Sequence, residues 1–103
     1  MATIYIEEYQ HMKEDGKGNI IGPGVLVAAH KVAIGVASAQ SAVFNDKTRF
    51  LIVESDTVCQ FEIGINPTAN GNSQYLSANN RKLIALPANT NGSEQRLAVI
   101  DQQ

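Results

Sequence analysis

Hydrophobic and polar positions alternate along most of the chain, and a period of two is typical of half-buried β-strands. In the opening segment Ile4, Ile6 and Glu8 occupy every second position, which predicts a first strand. The stretch from Val25 to Ala42 is rich in alanine, which suits a helix, but its valines and isoleucines also recur at every second position. We therefore predict two short strands around His30, with a helix as the alternative.

The centre of the chain contains the two clearest strands. Residues 48–54 are apolar on both faces, which is typical of a strand at the centre of a sheet or at a buried contact. Residues 58–63 alternate so that Cys59, Phe61 and Ile63 face inward. Because only residues 55–57 separate the two segments, we predict that they form a hairpin.

Turn-forming residues divide the rest of the chain into short segments. The predicted turns lie at residues 14–19, 66–73 and 89–93, and the predicted strands lie at residues 75–76, 81–86 and 96–100. About seven or eight short strands at regular spacing predict an all-β fold, an antiparallel β-sandwich or barrel that is jelly-roll-like. At a length of 103 residues, we expect a single β-sandwich domain spanning residues 1–103.

Charge and composition remove several classes of function. The 8 basic and 10 acidic residues give a net charge of −2 and the basic residues do not cluster, so we expect no direct binding to nucleic acid. We expect no membrane association, because no apolar stretch approaches the roughly 18 residues that cross a bilayer. The first ten residues lack the basic segment of a signal peptide. A single cysteine favours synthesis in a reducing compartment.

The residues that could carry chemistry are few. Cys59 shares a strand face with Phe61, so we interpret it as a small core residue. His11 and His30 have no second ligand at the spacing that zinc sites use, and we interpret both as solvated or loop histidines. Neither histidine lies close in the chain to a nucleophile and an orienting carboxylate. We therefore predict no enzyme activity, with no catalytic, cofactor-binding or metal-binding residues.

The strand around Phe50 has more apolar surface than a small sandwich can bury on one side. An exposed apolar patch on a small protein usually marks a contact with another protein, and tyrosine and phenylalanine are favoured anchors there. The residues predicted to contact a partner are Tyr5, Tyr9, Phe50 and Ile52, with Asn66 and Pro67 at the rim.

Four segments carry a more specific pattern. They are the opening strand with Tyr5, Ile6, Glu8 and Tyr9, the stretch from Ser38 to Phe44, the run from Cys59 through Gly64 to Asn66-Pro67-Thr68-Ala69, and the closing strand Leu97–Ile100. This pattern resembles a family of small proteins encoded among the virion-assembly genes of tailed bacteriophages. The resemblance extends over about residues 2–9, residues 32–70 and the last strand.

The resemblance implies a structural role without catalysis, in or on the capsid or at the head–tail junction. The partners that it implies are the major capsid protein or a head–tail connector protein, together with further copies of the chain as a homo-oligomer. Such a protein is made in the cytoplasm of the host bacterium and resides in the virion. The alternative is a sandwich on the particle that binds carbohydrate or the host surface, with its tyrosines stacked on sugars.

Overall fold

A computed structural model describes residues 2–14, 16–17, 20–86 and 94–102. Within these ranges the chain forms β-strands and no α-helix. The strands are β1 (Thr3–Tyr9), β2 (Met12–Glu14), β3 (Ile20–Pro23), β4 (Leu26–Ala33), β5 (Ala39–Gln40), β6 (Phe50–Ser55), β7 (Cys59–Gly64), β8 (Gln74–Leu76), β9 (Arg81–Ala85) and β10 (Arg96–Asp101). All strand pairs are antiparallel.

Eight of these strands form two sheets. Sheet I has the order β4-β1-β6-β9 and sheet II has the order β5-β10-β7-β8, while β2 and β3 pair in a separate ribbon. The prediction of an all-β antiparallel sandwich is confirmed. The β2–β3 ribbon was not predicted, although it flanks the predicted turn at residues 14–19, where Gly16 adopts a φ of 87° that glycine readily accepts. The turn predicted at residues 89–93 lies outside the described residues.

The two sheets bury one hydrophobic core between them. Strands such as β1, β6 and β10 contribute every second side chain, as the alternating sequence requires. The buried residues of this core are Ile4, Ile6, Val32, Ile34, Phe44, Leu51, Val53, Cys59, Phe61, Leu76, Leu86, Leu97 and Val99. Cys59 is fully buried, which confirms its interpretation as a core residue, and burial raises the pKa of its thiol.

The hairpin predicted from residues 48–63 is wrong, because its two strands belong to different sheets. Strand β6 pairs with β1 and β9 on its two edges, so no edge is left for β7. The connection between them instead crosses from sheet I to sheet II. Ser55 Oγ accepts a hydrogen bond from the Thr57 N–H at 3.1 Å, and the Thr3 N–H donates to Asp56 Oδ1 at 2.9 Å. These bonds stabilise a connection between the two sheets, and this connection is not a hairpin turn.

The prediction of two short strands around His30 is also wrong, as is its helical alternative. His30 lies within one continuous strand, β4, that pairs with β1 along its length. A bulge shifts the register near the start of β4, where Glu8 lies opposite Ala28 and Tyr9 lies opposite Leu26, so Val27 is the extra residue on β4. Because Lys31 and Ala29 point away from the core while Val32 points into it, the alanines occupy strand positions rather than a helix face.

Candidate interaction surface

The side chains that point away from the core of sheet I form three rows across its four strands. From one end to the other, the rows are Lys31–Tyr5–Glu54–Arg81, Ala29–Glu7–Ile52–Leu83 and Leu26–Tyr9–Phe50–Ala85. We call these twelve residues the outer face of sheet I. The first row is mostly charged and the third contains no charge, so the face changes from polar to apolar along the strands.

Four of the six residues predicted to contact a partner lie together on this face. Tyr5 is 41% exposed, and Phe50 and Ile52 are partly exposed. Tyr9 is buried, with 6% of its surface exposed, so it offers little surface for contact with a partner. The most exposed large apolar side chain of the face is Leu83 on the edge strand β9, at 53%, and it is not among the predicted contact residues.

Three of the four charged groups of the outer face have contacts within the face. The Arg81 guanidinium donates to Glu7 Oε1 at 2.6 Å. Burial, followed by the nearby charge of Glu7, raises the pKa of Tyr9. Lys31 Nζ lies 5.7 Å from the centre of the Tyr5 ring, within the range of a cation–π contact. With two cations and two carboxylates, the face has no net charge.

The outer face of sheet II is different, because the loop at residues 66–73 covers part of it. Ala69 is buried against Ala98 and Ile100, which point away from the main core. The Gln60 side-chain amide donates to the Gly71 carbonyl oxygen at 2.7 Å and fixes the far end of the loop. The aliphatic side chains beneath this loop are therefore already buried within the chain, whereas Tyr75 on β8 is 53% exposed.

The remaining two predicted contact residues belong to that loop. Asn66 is exposed and Pro67 is buried. The Gln40 side-chain amide donates to Asn66 Oδ1 at 2.9 Å and to the Pro67 carbonyl oxygen at 2.8 Å. The structure therefore separates Asn66 and Pro67 from the four residues on sheet I. Two of the segments that carry the sequence resemblance, residues 38–44 and 66–69, are bonded to each other here.

A buried polar cluster lies on the inner side of sheet I. Glu8 is fully buried, and its Oε1 accepts hydrogen bonds from the Asn45 N–H at 2.7 Å and the Thr48 hydroxyl at 2.6 Å. Its Oε2 pairs with His30 Nε2, and the His30 ring lies 6.1 Å from the ring of Phe44. The interpretation of His30 as a solvated or loop residue is therefore wrong. The alternation of Ile4, Ile6 and Glu8 placed the carboxylate inward, but its partners come from distant segments.

Through the carboxylate of Glu8, this cluster links β1 to β4 and to the segment at residues 45–48. Each carboxylate oxygen of Glu8 already has a partner, and no buried side-chain polar atom in the described ranges lacks a hydrogen bond. His11, by contrast, is exposed, as expected, and its carbonyl oxygen accepts the Gly24 N–H at 3.0 Å. In the part of the chain that the structure describes, no three His, Cys, Asp or Glu residues are grouped as metal ligands would be.

Comparisons with known proteins identify no relative: no family model, curated protein or solved structure matches this chain. The described residues contain no helix of the length and apolarity that crossing a membrane demands.

Proposed function

We propose that this chain is a non-enzymatic structural protein that self-associates, and that it binds other protein subunits through the outer face of sheet I. The observation that carries the proposal is the contrast between the two outer faces. On sheet II a loop of the chain itself covers the aliphatic side chains Ala98 and Ile100, whereas sheet I presents Tyr5, Ile52 and Leu83 with no covering segment among the described residues. Apolar side chains gathered on one side of a small protein are typical of an interface.

The chemistry of the face favours a protein partner. Its two cations and two carboxylates balance, so it does not attract a strongly charged ligand such as nucleic acid. Its aromatic and aliphatic side chains are those that dominate the energy of protein contacts. The exposed tyrosines Tyr5 and Tyr75 lie on different sheets, so they do not form one platform on which a sugar could stack.

The size of the face sets the strength of a single contact. Four strands about 4.8 Å apart and seven residues of about 3.4 Å each give a surface of about 19 Å by 24 Å, or about 450 Å². Stable protein contacts bury about 800 Å² on each partner. One copy therefore binds weakly, and firm attachment follows when several linked copies bind together.

The sequence resemblance supplies the biological setting of the proposal. It points to a virion protein of a tailed bacteriophage that decorates or cements the capsid or serves at the head–tail junction. Its partner is then the major capsid protein or a connector protein, and it acts in the virion after synthesis in the host bacterial cytoplasm. The added contact area stabilises the assembled state by mass action, without any covalent step.

The proposal is tested by binding the purified chain to phage particles that lack it. The variant Leu83→Ser removes an exposed leucine from the outer face of sheet I, and Ile65→Ser removes an even more exposed aliphatic side chain that follows β7 of sheet II. Burying half of a leucine side chain is worth about 1 kcal/mol, so Leu83→Ser should weaken binding about fivefold per site. Equal binding by both variants, or binding to glycans instead of particles, would contradict the proposal.

A further inference from the structure

Four strands lie at the edges of the two sheets, and one of them differs from the rest. Strands β5 and β8 have two and three residues, and β9 begins with the adjacent cations Arg81 and Lys82. Short or charged edge strands resist pairing with another chain. Strand β4 has eight residues, and Lys31 is its only Lys, Arg, Asp or Glu. It is therefore the edge best suited to accept a further strand.

The hydrogen bonds of β1 identify the backbone groups that β4 leaves unpaired. The Ile34 N–H donates to the Ala2 carbonyl oxygen at 2.9 Å, which places the even-numbered residues of β4 opposite β1 as hydrogen-bonded pairs. The odd-numbered residues Ala29, Lys31 and Ala33 then direct their N–H and C=O groups away from β1. Within the described ranges, no strand pairs with that side of β4.

We propose that β4 pairs antiparallel with β4 of a second copy of this chain, around a two-fold axis at His30. Ala29 of each copy then lies opposite Lys31 of the other, and both residues direct their unpaired groups at each other. The two copies form one continuous sheet of eight strands. A two-fold pairing of identical surfaces is the commonest form of homo-oligomer.

The side chains on the outer face favour this register. Lys31 of one copy faces only the methyl group of Ala29 in the other, above a depression of about 490 Å³. The depression is lined by Tyr5, Ile6, Glu7, Ala29, His30 and Lys31. Glu7 pairs with Ala29 on the next strand, about 10 Å from the incoming lysine backbone, within reach of a long lysine side chain.

The neighbouring register is less favourable. A shift of the pairing by two residues would place Lys31 directly opposite Lys31 of the second copy. Like charges directly opposite each other on paired strands are destabilising. The charges of the face therefore disfavour this register relative to the one in which Lys31 approaches Glu7.

This pairing rests on the self-association part of the proposed function and is independent of the virion assignment. It keeps the outer faces of both copies on the same side of the combined sheet. The available surface then doubles to about 900 Å², close to the size of a standard contact. A dimer would thus bind a partner that a single copy holds only weakly.

Light scattering after size exclusion, over a range of concentrations up to millimolar, tests the pairing. We expect a dimer for the unmodified chain and its loss in Ala29→Pro, because proline removes an N–H that points outward and is tolerated at an edge. Each dimer loses two hydrogen bonds, so the dissociation constant should rise tenfold or more. The matched control is Ala85→Pro, an exposed alanine on the opposite edge strand of the same sheet, which should remain dimeric.

A second pair of variants keeps the backbone intact. Ala29→Lys places a lysine opposite Lys31 of the second copy and should also weaken the dimer, whereas Ala85→Lys should not. A monomeric unmodified chain would overturn the pairing. A dimer that tolerates both substitutions at Ala29 would overturn the β4 edge while leaving self-association through another surface. A dimer that is lost only with the Ala29 variants would support the pairing even if the chain failed to bind phage particles.

Discussion

Replacing Thr48 with valine tests whether the buried cluster around Glu8 stabilises the fold. Valine has nearly the shape of threonine but lacks the hydroxyl that donates to Glu8 Oε1 at 2.6 Å. Thr48 and Glu8 are both fully buried, so water cannot replace the lost donor. A hydrogen bond to a charged group contributes about 1.5–3 kcal/mol, against a total stability of about 5–15 kcal/mol for a typical domain. We therefore expect Thr48→Val to lower the free energy of unfolding by about 1.5–3 kcal/mol.

Urea unfolding at neutral pH measures this change. The slope of the free energy of unfolding against urea concentration should be the same for both proteins, which shows that both undergo the same unfolding reaction. Thermal unfolding should show a midpoint lower by at least about 6 °C, since 1 kcal/mol corresponds to about 4–8 °C in a domain of this size. Thr68→Val is the matched control, because Thr68 is exposed in the loop over sheet II and should change stability by less than about 0.5 kcal/mol. If Thr48→Val matched this control, the hydroxyl would not stabilise the cluster and the reasoning would be refuted.

Three further predictions concern other parts of the molecule. Gly24→Ala should destabilise the fold by about 1–3 kcal/mol, because a Cβ at Gly24 would lie 2.7 Å from the His11 carbonyl oxygen. Gly35→Ala should be nearly neutral in the same unfolding assay, since a Cβ there would meet nothing within 4 Å. The raised pKa of Tyr9 means that the folded protein holds this proton more tightly than the unfolded chain, so the associated stability is complete below about pH 10 and is lost as the pH rises through the raised value. Tyr9→Phe should therefore reduce the loss of stability that the same unfolding assay measures as the pH rises above about 10. The buried Cys59 thiol, whose pKa burial raises, should react with a thiol reagent at pH 8 at least tenfold more slowly in the folded protein than in urea, and equal rates would contradict its burial.

The sequence predicts which side chains face inward better than it predicts which strands pair. The alternation of Leu51 and Val53, and of Cys59 and Phe61, correctly places all four in the core. The same alternation is compatible with two strands side by side in one sheet or face to face across a sandwich. Which strands pair depends on contacts between distant segments of the chain. Here β1 and β9 occupy the two edges of β6, and the short connection between β6 and β7 does not reveal this.

The alternation of side chains along the strands also predicts part of the candidate surface. Tyr5, Phe50 and Ile52 stand at outward positions of strands with apolar residues on both faces, so the period of two brings them together. Leu83 was missed because β9 alternates weakly in the sequence, and its place beside Ile52 follows only from the register of β6 and β9. The prediction places Asn66 at the rim of the contact surface. In the structure its loop lies on sheet II instead, where Asn66 accepts a hydrogen bond from Gln40 and the Gly71 carbonyl oxygen accepts one from Gln60.

The central claim is that this chain acts by adding contacts to a particle built from other subunits. The most direct test is quantitative mass spectrometry of purified particles from a phage whose genome encodes the chain, calibrated against the major capsid protein. The account predicts that the chain is present at a fixed ratio to that protein and stays bound through repeated purification. Its absence from particles, in cells that synthesise the chain in quantity, would contradict the account.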